Sequence, residues 1–287
     1  MSSLNLTLKP AQTELVAKPG VSLTQAYQVT NNSDSSLMVS TSVLPWLPAG
    51  SDGSLTYSNV FPDPNFSFGL ANSDLQLGQS FLLRPGQSRQ LVLKIKSNPD
   101  TPYSDSYFTF FVSQDLTNTL NSDSNLAAAS GRLGSHLLIS TSADQSPSSR
   151  ASILGFTVSP RFKDLFFPRL QFKALVQNRS GYFFKTVGKL TITKNNLTIK
   201  EFDLFPQNVL ASASRSVACN SGNLPVACNL DPPFWPGRYT ATLTLDSSLA
   251  SAPASVNFYV FPYLLLIITV LLTAIVLAFI RLRKPKY

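Results

Sequence analysis

The chain has 287 residues, of which 44% are hydrophobic and only 13% charged, with a formal net charge of +8. Half of that charge lies in the last seven residues, and what remains is too weak and scattered for a nucleic-acid surface, which needs clustered Lys and Arg. One histidine and two cysteines leave no material for a His-rich metal centre, so no metal, cofactor or nucleic-acid partner is expected.

The N-terminus, MSSLNLTLKP, has no basic start, no apolar h-region and no small-residue cleavage site. Beyond it the dominant period is two. Val21, Leu23, Tyr27 and Val29 alternate with Ser22, Thr24, Gln28 and Thr30, and the run stops at the turn-forming NNSDSS. Leu37, Val39, Thr41 and Val43 share one face of a second strand, and Leu91, Leu93 and Ile95 one face of a third. Tyr107 to Val112 is a β-rich aromatic run, and His136 to Ser140 completes the set. Pro19-Gly20 and Pro85-Gly86 each precede an alternating run, as a type II turn requires. From Ser113 to Gly131 the chain is polar and aperiodic and reads as a long loop.

A polar linker over 144–152 follows a first immunoglobulin-like β-sandwich over 1–143. The second sandwich, 153–257, alternates at Leu170, Phe172, Ala174 and Val176, then at Leu190 and Ile192, then at Leu197 and Ile199. Tyr239, Ala241, Leu243 and Leu245 share a face after Pro236-Gly237. Short strands at this spacing predict an all-β fold of two tandem sandwiches. Cys219 and Cys228 bracket NSGNLPVA, a looped segment whose closure by a disulfide suits an oxidising compartment, the alternative being two unpaired thiols in a reducing one.

The segment from Tyr259 to Ile280, YVFPYLLLIITVLLTAIVLAFI, is uncharged and almost wholly apolar. At about 1.5 Å of rise per residue it covers roughly 30 Å as a helix, enough for a bilayer core, which predicts a single transmembrane helix over 258–280. Arg281, Arg283, Lys284 and Lys286 follow it and Tyr259 and Tyr263 open it, so the tail, 281–287, is expected in the cytoplasm and the sandwiches outside. Export needs a signal, which leaves three alternatives: a start further upstream, a signal already removed, or the reverse topology.

The order KPG, SLTQAYQVTNNSDSSLMVSTSV, DGSLTYS and LRPGQSRQLVLKIK resembles the peptidoglycan-binding domain of WxL-interacting surface proteins. The segment from Phe156 to Asp246, closing with WPGRYTATLTLD, is similar in placement to that family's partner-binding domain, and sandwich, sandwich, helix and basic tail is that family's order. TPYSDSYFTFF stands where a glycine-rich stretch is expected in that family. The resemblance implies binding of a cell-wall polymer or another surface protein, and no ligand-binding residue is nominated. The first domain also resembles major-sperm-protein and pilus-chaperone modules, and the former implies an alternative: a tail-anchored cytosolic scaffold.

Chemistry-bearing constellations are scarce. His136 in HLLIS reads as an edge or surface strand residue, no phosphate-cradling loop occurs, and the protein is expected not to be an enzyme. FPDPNFSFGL, from Phe61 to Leu70, and DPPFWPGRY, from Asp231 to Tyr239, set Phe and Trp beside Pro in loops that either plug the sandwich ends or stack on a partner. Asn5, Asn31, Asn65, Asn178 and Asn196 begin N-x-Ser/Thr sequons.

Overall fold

The computed structural model describes residues 5–58, 63–115, 131–143, 148–164, 169–231 and 235–282. The chain divides into two compact units: Met1–Ser148 with Ser180–Phe183, and Ser149–Arg179 with Phe184–Tyr287. The long loop expected between Ser113 and Gly131 falls largely outside the described residues.

The first unit is a two-sheet sandwich. One sheet holds, in spatial order, β1 (Leu6–Lys9), β3 (Ser22–Asn31), β8 (Ser88–Ser97) and β6 (Phe66–Leu70). The other runs β2 (Gln12–Ala17), β10 (Arg132–Thr141), β9 (Asp105–Gln114), β4 (Leu37–Ala49) and β5 (Ser54–Tyr57), and β7 (Phe81–Leu83) also pairs with β4. Alternation is the cause: Tyr27, Val29, Leu91, Leu93 and Ile95 face Phe108, Phe110, Leu137 and Ile139 in one core, while their neighbours turn outward. Both expected turns form. Gly20 and Gly86 take φ of +75° and +68°, and the N–H groups of Val21 and Gln87 close onto the carbonyls of Lys18 and Arg84.

The second unit repeats this topology. One sheet centres on β13 (Leu170–Asn178), flanked by β11 (Ala151–Ser159) on one side and by both β18 (Ser214–Ser216) and β21 (Cys228–Leu230) on the other. The other runs β12 (Phe162–Lys163), β23 (Ala254–Val260), β22 (Gly237–Leu245), β15 (Gly188–Lys194) and β16 (Leu197–Asp203). Two short ribbons complete it: β14 (Phe184–Lys185) with β17 (Asn208–Val209), and β19 (Cys219–Ser221) with β20 (Leu224–Val226).

In both units the first strand changes sheet at a proline. β1 pairs antiparallel with β3, Pro10 intervenes, and β2 then runs parallel to β10. Likewise β11 pairs antiparallel with β13, Pro160 intervenes, and β12 runs parallel to β23. Proline has no N–H for the ladder it leaves and fixes φ, which suits a sheet-to-sheet corner. The expected linker over 144–152 is therefore shorter at its end, because Ala151 already belongs to β11.

The C-terminal element α1 (Tyr263–Leu282) is the one α-helix among the described residues. The span expected over 258–280 needs correction at its start: Phe258, Tyr259 and Val260 finish β23, whose ladder to β22 continues through Gly237↔Val260. Side chains of α1 are described without a break from Tyr263 to Phe279, and among the described residues no helix is long and apolar enough to cross a membrane.

Candidate functional site

One group of charged and aromatic side chains of the second unit lies at the end where β12, β23 and β22 meet α1. One cross-strand row, Phe162↔Tyr259↔Arg238, lies on the outer face, and the Phe162 and Tyr259 rings stack at 5.3 Å between centroids and 14° between planes. Phe162 cannot join the core from there; it is 70% exposed. The next row, Lys163↔Val260↔Gly237, turns inward, so Lys163 is buried and Asp164 follows it into the base of the helix.

Asp164 ties the sandwich to α1. Its Oδ2 accepts the Leu264 N–H at 2.9 Å, and the Phe261 N–H donates to the Lys163 carbonyl at 2.9 Å. A carboxylate at a helix N-terminus satisfies an otherwise open donor and complements the positive end of the helix dipole. Burial pushes the Lys163 ammonium below its ordinary value, and the carboxylates of Asp164 and Asp231 oppose that shift. Asp231 in turn pairs with Arg169 at 2.6 Å.

Around this base the exposed surface is aromatic: Trp235 is 82% exposed, Phe261 53% and Tyr263 43%. Tyr239 is buried, and its hydroxyl donates to the Trp235 carbonyl, which fixes the backbone that presents the Trp ring. Along α1 every described side chain from Tyr263 to Phe279 is exposed. The hydroxyl of Thr269 donates to the Leu266 carbonyl, and that of Thr273 to the Thr269 and Val270 carbonyls, so the polar groups of this stretch close on the helix itself. Arg281 sits in the last turn, where a cation complements the negative helix end.

Of the residues expected to flank a membrane, Tyr263 opens the helix and Arg281 closes it, but Tyr259 belongs to the sheet. Arg283, Lys284 and Lys286 lie outside the described residues. Cys219 and Cys228 are joined as a disulfide with a Cα–Cα distance of 5.0 Å. Its place explains its use. Where the first unit has the unbroken β8 beside β3, the second has β18 and β21 beside β13, separated by the β19–β20 hairpin that the disulfide closes at its base. Sequence reading missed Asp164 and Phe162, because only the parallel β12–β23 pairing brings them to the helix.

The aromatic loops divide. Phe66 is buried and Phe68 packs edge-on to Phe108 at 4.7 Å, so the described part of FPDPNFSFGL plugs the first sandwich; Phe61 and Pro62 lie outside the described residues. Trp235 does not plug anything, and Pro232, Pro233 and Phe234 before it are outside the described residues. His136 is not at an edge. β10 lies between β2 and β9, and the half-buried ring meets Thr109 Oγ1 at 3.0 Å and the edge of Trp46 at 5.5 Å, which pushes its pKa down through burial. Among the described residues no three His, Cys, Asp or Glu side chains gather as metal ligands. A shallow depression of about 760 Å³ on the first unit, over Lys9, Tyr27, Gln28 and Arg89, is open to solvent and holds no catalytic pairing.

The fold defines an all-β protein of two immunoglobulin-like sandwiches with a C-terminal helix. No family model and no curated protein matches the chain. Among solved structures it is similar to the class 5 fimbriae chaperone CfaA, at 10% identity and a TM-score of 0.43 over 90% of this chain and 100% of that one. It is also similar to the E. coli chaperone DraB, at 14% identity and a TM-score of 0.39 over 89% and 97% of the two chains. A structure of Salmonella enterica SafA pilin in complex with the SafB chaperone gives 12% identity and a TM-score of 0.38 over 90% and 97%. At these values the likeness extends to neither partner nor activity.

Proposed function

We propose that the chain is a non-enzymatic surface protein, anchored by α1 in a membrane, that holds a cell-wall polymer or another surface protein on its paired sandwiches. The observation that carries the reading is α1. The unbroken run of described side chains, Tyr263 to Phe279, covers about 25 Å and falls short of a crossing by itself; the support comes from taking it together with the helical backbone that continues through Ile280 to Leu282, with which the rod reaches roughly the 30 Å of a hydrocarbon core. In water, a helix exposing apolar side chains on every face has nothing to hold it folded; in lipid, its internally bonded Thr hydroxyls meet the demand that each polar group be satisfied within the segment.

Two further features support the outward orientation. The basic residues follow the helix and do not precede it, and the Cys219–Cys228 bond fits an oxidising side of the membrane. The tail-anchored scaffold places both on the wrong side. With sheet edges and end loops offering backbone hydrogen bonds and aromatic contacts, anchoring raises the effective concentration of weak sites near their target.

The test is labelling of intact cells with a membrane-impermeant reagent directed at a tag in the interdomain linker, beside alkaline extraction of the membranes. Retention in the extracted membrane with labelling of unpermeabilised cells is expected. Release by alkali overturns the anchor, and labelling only after permeabilisation reverses the orientation. Purified protein is then offered cell-wall polymer and surface-protein extracts, and hydrolysis of the polymer would overturn the non-enzymatic reading.

A further inference from the structure

The second sandwich has no stalk. β23 ends at Val260 and α1 begins at Tyr263, so only Phe261 and Pro262 separate sheet from helix. At about 3.4 Å per extended residue the connection reaches no more than ~10 Å, and the Asp164 carboxylate on the Leu264 N–H holds even that short link against the body. If α1 enters a bilayer at Tyr263, the end of the sandwich formed by β12, β23 and β22 has to lie at headgroup depth. What that end exposes is unusual for a surface in water: Phe162, Trp235, Phe261 and Tyr263, contributed by three separate stretches of chain, with Arg161 and Arg238 also exposed.

We propose that this end of the second sandwich is a lipid-docking collar, its rings set into the headgroup zone of the bilayer that α1 spans, so that the domain stands in one fixed orientation on the membrane. The inference rests on the anchoring reading above and goes beyond it, because a spanning helix alone leaves the sandwich free to tilt. Each ring suits the place. Trp and Tyr are amphipathic and favour the headgroup level, and Arg can keep its guanidinium among phosphates while its stem lies along apolar surface. The Phe162–Tyr259 stack sets one flank of the collar from a strand that is 100 residues away in sequence from the helix start, as the Asp164–Leu264 separation shows.

The chain carries two tryptophans, which makes the test direct: Trp46 is 6% exposed and Trp235 is 82% exposed. Full-length protein is placed in nanodiscs of phosphatidylcholine and phosphatidylglycerol, with and without a nitroxide on the lipid headgroup. The collar predicts emission about twofold lower with the label, a loss absent in W235F, whose remaining signal is Trp46. Protein that enters the discs but shows equal quenching in wild type and W235F overturns the collar and leaves the anchor standing. Unquenched but blue-shifted Trp235 emission would assign the rings to a protein neighbour and also overturn the proposal. Protein that stays outside the discs overturns the anchoring reading and the collar together.

Discussion

Asn178 donates from Nδ2 to the Val209 carbonyl at 3.0 Å, and the two residues stand at the matching places that Asn31 and Leu83 hold in the first unit, where the same bond is again 3.0 Å. Each Asn ends the strand that pairs with the one leading into the proline corner, and each accepting carbonyl ends a short strand before a turn. Both side chains are buried, at 0% and 1% exposure, so neither sequon can carry a glycan in the folded unit. Replacing either with Ala strands a buried carbonyl, and the expected loss is about 1–3 kcal/mol for the unit concerned. Denaturant unfolding followed separately in each unit checks this; a change below a few tenths for both variants would show that the bond is incidental.

Removal of the disulfide acts locally. Closing a loop of about ten residues stabilises by roughly 2.5–3 kcal/mol in the chain-entropy model, and here the loop holds β18 and β21 in register on β13. The double variant C219S/C228S is expected to melt earlier and to exchange amide hydrogens faster in Ser214–Ser216 and Cys228–Leu230, with the first unit unchanged. Uniform acceleration across both units would point to a different origin.

Acid is expected to weaken the first unit through His136. Burial lowers its folded pKa, so as pH falls the unfolded chain takes up the proton first, near its ordinary value of about 6.5. Stability is therefore fully present above that value and declines as pH drops toward the folded one. Thermal melts of wild type and H136Q between neutral and mildly acidic pH read this out: the variant should show a flatter profile, and parallel profiles would remove His136 from the account.

The cap on α1 makes a fourth expectation. D164A removes the acceptor of the Leu264 N–H, and loss of such a cap costs about 0.5–2 kcal/mol of local stability. Faster hydrogen exchange over Tyr263–Leu266, with the sandwich strands unaltered, is the expected signature. D164N, which keeps an acceptor oxygen, should recover most of the protection.

The strands that were legible from sequence were those with one buried face, since β3, β8, β13 and β22 write a period of two directly into the chain. The proline-broken first strands were not. β2 and β12 are short, lie at sheet edges and bury little, so their pattern is weak until a distant parallel partner is known. The end of β23 falls within the apolar run because Phe258, Tyr259 and Val260 lead into the helix with no charged residue between, and hydropathy does not separate a strand from a helix where one continues into the other. β18 and β21 were hidden for the opposite reason, being one strand's worth of pairing divided by an insertion. At the candidate site Tyr263, Arg281 and the Trp235 loop could be read locally, whereas Asp164 and Phe162 reach the base of the helix only through the β12–β23 register. Their convergence is a long-range property that composition does not record.

The excursion between Cys219 and Cys228 separates two tasks that a β-strand ordinarily has to perform together. Residues on β18 and β21 answer to the core, while those from Ser221 to Ala227 are exposed and are held by their own hairpin and the covalent closure at its base. Such a segment is free to vary in length and chemistry without retuning the sandwich beneath it, so this is where the molecule can acquire new surface character while its fold stays constant.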